Sequence, residues 1–334
     1  MNHLISSNQK TVGLWAVALL MTTAFSFSTV AKDAKTTVVK TLSNAQQIEL
    51  LTKKFKKGKY SKKGADSCLK CHDGESDRDG TQIFVGRHGA LADASGPMGQ
   101  LQCESCHGPV GKHDKRPRKG KQREPMLSFD KNSALNAEQK NSVCLTCHDN
   151  DHTRMGWLGS EHESNDIACV DCHILHVEKD PILSKVQQND VCTSCHTKQK
   201  IELHKRSSHP LKFDRQVCTD CHNPHDSTND ASLKADSINE NCLSCHSEKQ
   251  GPKLWEHEPV IEDCSICHAP HGANNAMLLK KRVPQLCQEC HSSVGHSSAA
   301  YVNANGNKVQ GKSCLNCHSK IHGSNSPDGN LFQH

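Results

Sequence analysis

One five-residue pattern constrains this chain more than any other feature. Cys-x-x-Cys-His occurs ten times in 334 residues and uses all 20 cysteines, as Cys68/Cys71, Cys103/Cys106, Cys144/Cys147, Cys169/Cys172, Cys192/Cys195, Cys218/Cys221, Cys242/Cys245, Cys264/Cys267, Cys287/Cys290 and Cys314/Cys317. The histidines that follow are His72, His107, His148, His173, His196, His222, His246, His268, His291 and His318. Thiols three residues apart project from one side of a helical turn, where each can form a thioether to a haem vinyl group. The next imidazole then reaches the iron as its proximal ligand. Zinc sites and disulfides also use paired cysteines, but neither explains the histidine. With His at 24 of 334 positions, chance placement behind every pair is on the order of 10^-12. Ten covalently bound c-type haems are expected.

The rest of the composition suits a chain that cannot fill its own core. Its apolar fraction is 34% with the cysteines included, and only 4% is aromatic. The expected fold is a multihaem cytochrome c: an elongated, mostly irregular chain with short α-helices wrapped around a linear array of ten haems, and little or no β-sheet. A formal charge of +5 does not indicate nucleic-acid binding, because ten haems add about 20 propionate carboxylates.

Residues 1–31 read as a cleaved export signal, with Lys10, an apolar run from Val12 to Ala24 and small residues at Thr29–Ala31. The run is short for a membrane span. Haem attachment to these motifs is extracytoplasmic, so the periplasm is the expected compartment. Residues 32–67 form a basic segment in which Ser43 and Gln46 predict a capped helix with Ile48, Leu51 and Phe55 on one face. Its lysines, Lys53, Lys54 and Lys56 among them, are expected to be solvated, with docking on an acidic partner or on haem propionates as the alternative.

From Cys68 onward the motifs pair into five repeats, at 68–143, 144–191, 192–241, 242–286 and 287–334. Each runs first motif, lone His, second motif, trailing His. The lone histidines are His88, His162, His209, His257 and His296, and the trailing ones His113, His176, His225, His271 and His322. These ten are the candidate distal ligands; His152 and His204 have no counterparts in the other repeats. His176 lies too close to His173 to reach the far face of the same haem, so it should serve a neighbour. His113 and His296 depart from the common spacing. The first repeat carries a basic loop at 111–123, expected to be solvated or to contact a partner or lipopolysaccharide. Short helical turns are expected at Ala137–Val143 and Gln187–Val191, and Trp157 and Trp255, near distal candidates, are expected to pack on haem edges or in ordinary contacts.

Two imidazoles per iron leave no open coordination site, which favours an electron carrier without catalytic residues. A multihaem oxidoreductase would need one open haem, and a soluble periplasmic shuttle or store would need the same haems as a fixed conduit.

Lys63–Cys68, Leu101–His113 (LQCESCHGPVGKH), Val191–Lys200, Lys205–Lys212, Gly251–His257 (GPKLWEH) and Ser313–Asn325 resemble the periplasmic decahaem cytochromes of the MtrA/DmsE family, over nearly everything after residue 40. The basic loop at 112–123 is longer and more cationic than that family's pattern. The resemblance implies bis-His ligation of all ten haems. It also implies an inner-membrane or periplasmic cytochrome donor, an outer-membrane β-barrel porin, and an extracellular multihaem cytochrome or terminal reductase serving anaerobic respiration of metals or dimethyl sulfoxide.

Overall fold

Each Cys-x-x-Cys-His segment closes on itself as a helical turn. The closing His N–H donates to the first Cys carbonyl at 2.9–3.1 Å in the copies that start at Cys68, Cys169, Cys192, Cys218, Cys242, Cys264, Cys287 and Cys314. The other two copies lie within the α-helices Cys103–His107 and Ala137–His148. The computed structural model describes residues 42–291 and 313–333, all within the unit Lys40–His334. The expected signal at 1–31, residues 32–41 and the candidate ligand His296 lie outside the described residues.

Among the described residues there are no β-strands, only four isolated bridges such as Ser207–Ala273 and Trp255–Ser324. The longest helices are Asn44–Lys57 and Ala137–His148, of 14 and 12 residues. Ser43 Oγ accepts from Gln46 N and Ser43 N donates to Gln46 Oε1, so the expected capping box opens the first helix. The expected turns at Ala137–Val143 and Gln187–Val191 are longer than the sequence suggested. They continue through their haem motifs as Ala137–His148 and Gln188–Cys195, because the motif is itself a helical turn.

Among the described residues thirteen apolar side chains are buried, Pro109 included, spread along the chain from Leu51 to Ala273. They do not make one self-sufficient core. Leu51 is buried as expected, whereas Phe55 is 47% exposed. The Phe55 ring lies over Gly108, whose φ is +71° and where an added Cβ would meet the ring at 2.5 Å.

Lys54 corrects the reading of a wholly solvated basic segment. It is 7% exposed, and its Nζ donates to the Val110 carbonyl at 3.2 Å, the Pro125 carbonyl at 2.9 Å and Met126 Sδ at 3.1 Å. Glu124 lies 3.8 Å away. Burial pulls the Lys54 pKa down, and Glu124 and Glu104 partly oppose that. Lys54 thus staples both ends of the basic loop, whose own cations are exposed.

Candidate haem-binding site

A continuous cavity of about 5220 Å³ runs through the described residues. All 20 motif cysteines line it, as do the ten motif histidines and every described distal candidate; His152 and His204 do not. Divided among the ten motifs, the volume is about 520 Å³ each, within the roughly 300–1,000 Å³ of cofactor-sized sites.

The histidines inside this cavity meet in pairs. Ring centroids are 6.4 Å apart for His72–His113, 6.0 Å for His88–His148, 6.2 Å for His107–His176, 6.0 Å for His162–His196 and 6.1 Å for His173–His225. The series continues at 6.3 Å for His209–His246, 6.0 Å for His222–His271, 6.1 Å for His257–His291 and 6.2 Å for His268–His322. All nine pairs join one motif His to one lone or trailing His. A metal–imidazole bond of about 2.0 Å plus about 1.1 Å from nitrogen to ring centre, taken twice, gives about 6.2 Å. These residues therefore fit one iron between each pair.

The pairing interlocks the repeats. The lone His of one repeat faces the first-motif His of the next, as in His162–His196, His209–His246 and His257–His291. The trailing His of one repeat faces the second-motif His of the repeat before, as in His225–His173, His271–His222 and His322–His268. The first repeat has no predecessor, and its His113 turns back on its own His72. That accounts for the unusual spacing of His113.

Backbone carbonyls orient these rings. His162 Nδ1–H donates to Pro224 O at 2.8 Å, His209 to Pro270 O at 2.7 Å and His257 to Ile321 O at 3.1 Å. Each acceptor immediately precedes the trailing His of the next repeat, so one segment supplies a facing imidazole and aims another. Holding Nδ1–H in this way fixes the tautomer and directs Nε2 into the cavity.

The motifs also touch in sequence order. Within each repeat the first cysteines are within side-chain reach of each other, as Cys68–Cys103, Cys144–Cys169, Cys192–Cys218, Cys242–Cys264 and Cys287–Cys314. Across repeat boundaries the second cysteines lie near each other, as Cys106–Cys147, Cys172–Cys195, Cys221–Cys245 and Cys267–Cys290. Each motif therefore neighbours the next.

Three asparagines that sequence reasoning passed over join the motifs within repeats. Asn141, Asn189 and Asn239 accept from the N–H of Cys169, Cys218 and Cys264 at 2.7, 3.0 and 2.7 Å. Each stands three residues before its first-motif Cys, a spacing visible in the sequence. Trp157 is buried and meets His225 edge-on at 6.1 Å. Trp255 is instead tied to the C-terminal turn, its Nε1–H donating to Ser326 O at 2.9 Å. His152 is exposed, and His204 Nδ1 is bonded to Lys200 O within its own turn.

Paired thiols on helical turns, imidazoles facing at iron-spanning distance and one shared cavity define a multihaem c-type cytochrome. The doubled CXXCH motif model matches residues 209–251 and 257–296, the NrfB-like cytochrome c-type protein model 103–186, and the cytochrome c554 and c-prime model 25–108. The chain belongs to the family of the multihaem cytochrome MtrA: it is 51% identical to Multiheme cytochrome MtrA of Shewanella baltica over 297 residues, covering 86% of this chain and 87% of that protein. It is also 28% identical over 124 residues to the cytochrome c-type protein NrfB of Haemophilus influenzae, covering 34% of this chain and 55% of that one. It is an electron-transfer protein.

Proposed function

We propose that this chain is a periplasmic decahaem conduit. It takes electrons from an inner-membrane or periplasmic cytochrome and delivers them, within an outer-membrane β-barrel porin, to an extracellular cytochrome or terminal reductase. The observation that carries the reading is the succession of neighbouring motifs from Cys68 to Cys317, nine of whose ten histidines are faced by a second imidazole among the described residues. Haem supplies one-electron Fe(III)/Fe(II) chemistry when bound. The 20 cysteines hold the macrocycles covalently, and His72, His107, His148, His173, His196, His222, His246, His268, His291 and His318 serve as proximal ligands. The distal ligands are His113, His176, His88, His225, His162, His271, His209, His322 and His257, each for the motif His it faces. By the mirror of the N-terminal closure, His296 is assigned to His318.

With every iron held on both faces, the protein carries electrons and turns over no substrate. A polar shell of linkers suits enclosure by a barrel better than contact with lipid. The test is the intact mass of the mature protein together with the carbon monoxide response of its reduced form. Ten added haems and a low-spin spectrum untouched by carbon monoxide are expected. Fewer haems, or a shifted fraction near one-tenth, would overturn the fully six-coordinate assignment.

A further inference from the structure

The five repeats allow equivalent positions to be compared inside one molecule. In four of them the second-motif His gives its Nδ1–H to a backbone carbonyl: His107 to Leu127 O at 2.7 Å, His222 to Ala231 O at 2.8 Å, His268 to Met277 O at 2.8 Å and His318 to Leu331 O at 2.6 Å. The second repeat breaks the rule. There His173 Nδ1 bonds to Asp180 Oδ2 at 2.7 Å.

Asp180 is held for this task. Its Oδ1 accepts from the N–H of Ile174 at 3.2 Å and of Ile182 at 3.3 Å, and its side chain is 11% exposed. Three donors converge on one carboxyl group, an arrangement suited to the ionised, acceptor-only form. Among the described residues no Lys or Arg forms an ion pair with it. Among the described residues two other carboxylates come within 4 Å of an imidazole nitrogen of the set, but differently. Glu202 lies 3.5 Å from His271 Nδ1 and equally far from Lys205, which offsets its charge. Glu248 lies 3.5 Å from His246 Nδ1, is 58% exposed and neighbours Lys249 at 3.9 Å.

We propose that Asp180 is a positioning residue that makes the haem on Cys169 and Cys172 the most reducing site of the file. A carboxylate draws the Nδ1–H further than an amide carbonyl does, which gives His173 imidazolate character and makes Nε2 a stronger donor. The same negative charge favours Fe(III) over Fe(II), the state with one electron more. Both effects lower the potential of this one-electron couple. The fourth motif then divides the file, with three motifs before it and six after. An electron must climb onto this site, which makes it an uphill step in passage along the chain.

The inference rests on haem attachment at Cys169/Cys172 with His173 as ligand, and the test keeps the two apart. Asp180→Asn retains an acceptor for Nδ1–H, like the carbonyls of the other repeats, and removes the charge; Asp180→Glu keeps the charge. Each holoprotein is first counted by pyridine haemochrome and checked for a low-spin spectrum, then titrated spectroelectrochemically. The wild type is expected to show a component of one-tenth of the haem amplitude at its negative limit. In Asp180→Asn that component moves up by at least tenfold in its reduction equilibrium constant, about 59 mV for one electron, while Asp180→Glu leaves it low. Ten low-spin haems with unchanged potentials in Asp180→Asn overturn the proposal and leave the ligand assignment standing. If Asp180→Asn loses a haem, the wild-type titration decides: no separate one-tenth component at the negative limit overturns it as well.

Discussion

Removing the imidazole of His162 tests the interlocked pairing at its most informative point. The ring stands 6.0 Å from His196, in the next repeat, and its Nδ1–H is bonded to Pro224 O at 2.8 Å. On the proposed pairing, His162→Ala deletes a ligand for the iron at Cys192/Cys195 and leaves that motif's thioethers and proximal His in place. Ten haems therefore remain, and one-tenth of them should become five-coordinate. The lost bond to Pro224 should cost about 0.5–1.5 kcal/mol, too little to unfold a chain held by covalent haems. The assay is the carbon monoxide difference spectrum of the reduced variant, scaled to the pyridine haemochrome. One-tenth of the haem should respond, and imidazole added to the buffer should abolish the response by filling the space of the missing side chain. His152→Ala, ten residues away and exposed, should give none. A response of two-tenths or of zero in His162→Ala, or one-tenth in His152→Ala, would refute the pairing.

Three further outcomes follow from the geometry. The facing rings range from near-parallel pairs, at 14° for His72–His113 and His173–His225, through a tilted one, at 50° for His209–His246, to crossed pairs, at 73° for His88–His148 and 76° for His162–His196. Crossed imidazoles leave the iron's two π-type d orbitals nearly degenerate, so low-temperature electron paramagnetic resonance of the oxidised protein should show two low-spin classes, and His162→Ala should diminish the one with the larger maximal g; a single class would contradict the ring geometry. Asn189→Ala removes the acceptor for Cys218 N and two bonds from Nδ2 to Leu211 O and Gln216 O. Guanidinium unfolding of the holoprotein should show a loss of about 2–4 kcal/mol, against under about 1 kcal/mol for exposed Asn165→Ala. Burial lowers the Lys54 pKa below its ordinary 10.5, so on raising the pH toward 10.5 the folded state loses this proton before the unfolded state does. The wild type should then gain stability relative to Lys54→Met as pH rises through that window; a constant difference would show that Lys54 is solvated after all.

The chemistry of this protein was more legible in its sequence than its architecture was. Covalent haem attachment needs fixed residue types at fixed spacing, so the ten motifs stand out without structural help. Repetition singled out the candidate partners and set aside His152 and His204. Which imidazole faces which could not be read, because the facing residues lie far apart in the chain: His162 faces His196, although His148 and His173 are closer in sequence. The unusual position of His113 looked like a weakness from spacing alone. It is the consequence of a first repeat with no predecessor. Lys54 was hidden in a run of charges, where nothing local distinguishes the lysine that meets Val110 and Pro125 from its solvated neighbours. The clamping asparagines were visible as a recurring spacing, but their role depends on a contact with the following motif that sequence does not display.

The claim that matters most is that this file of sites works inside an outer-membrane conduit. Mild-detergent purification of the protein from native outer membranes, with mass spectrometry of what accompanies it, tests that claim directly. Recovery in a stable complex with a large β-barrel protein and an outer multihaem cytochrome or reductase is the predicted result. Recovery alone from the soluble periplasmic fraction, fully loaded with haem, would contradict the conduit and identify the protein as a diffusing carrier.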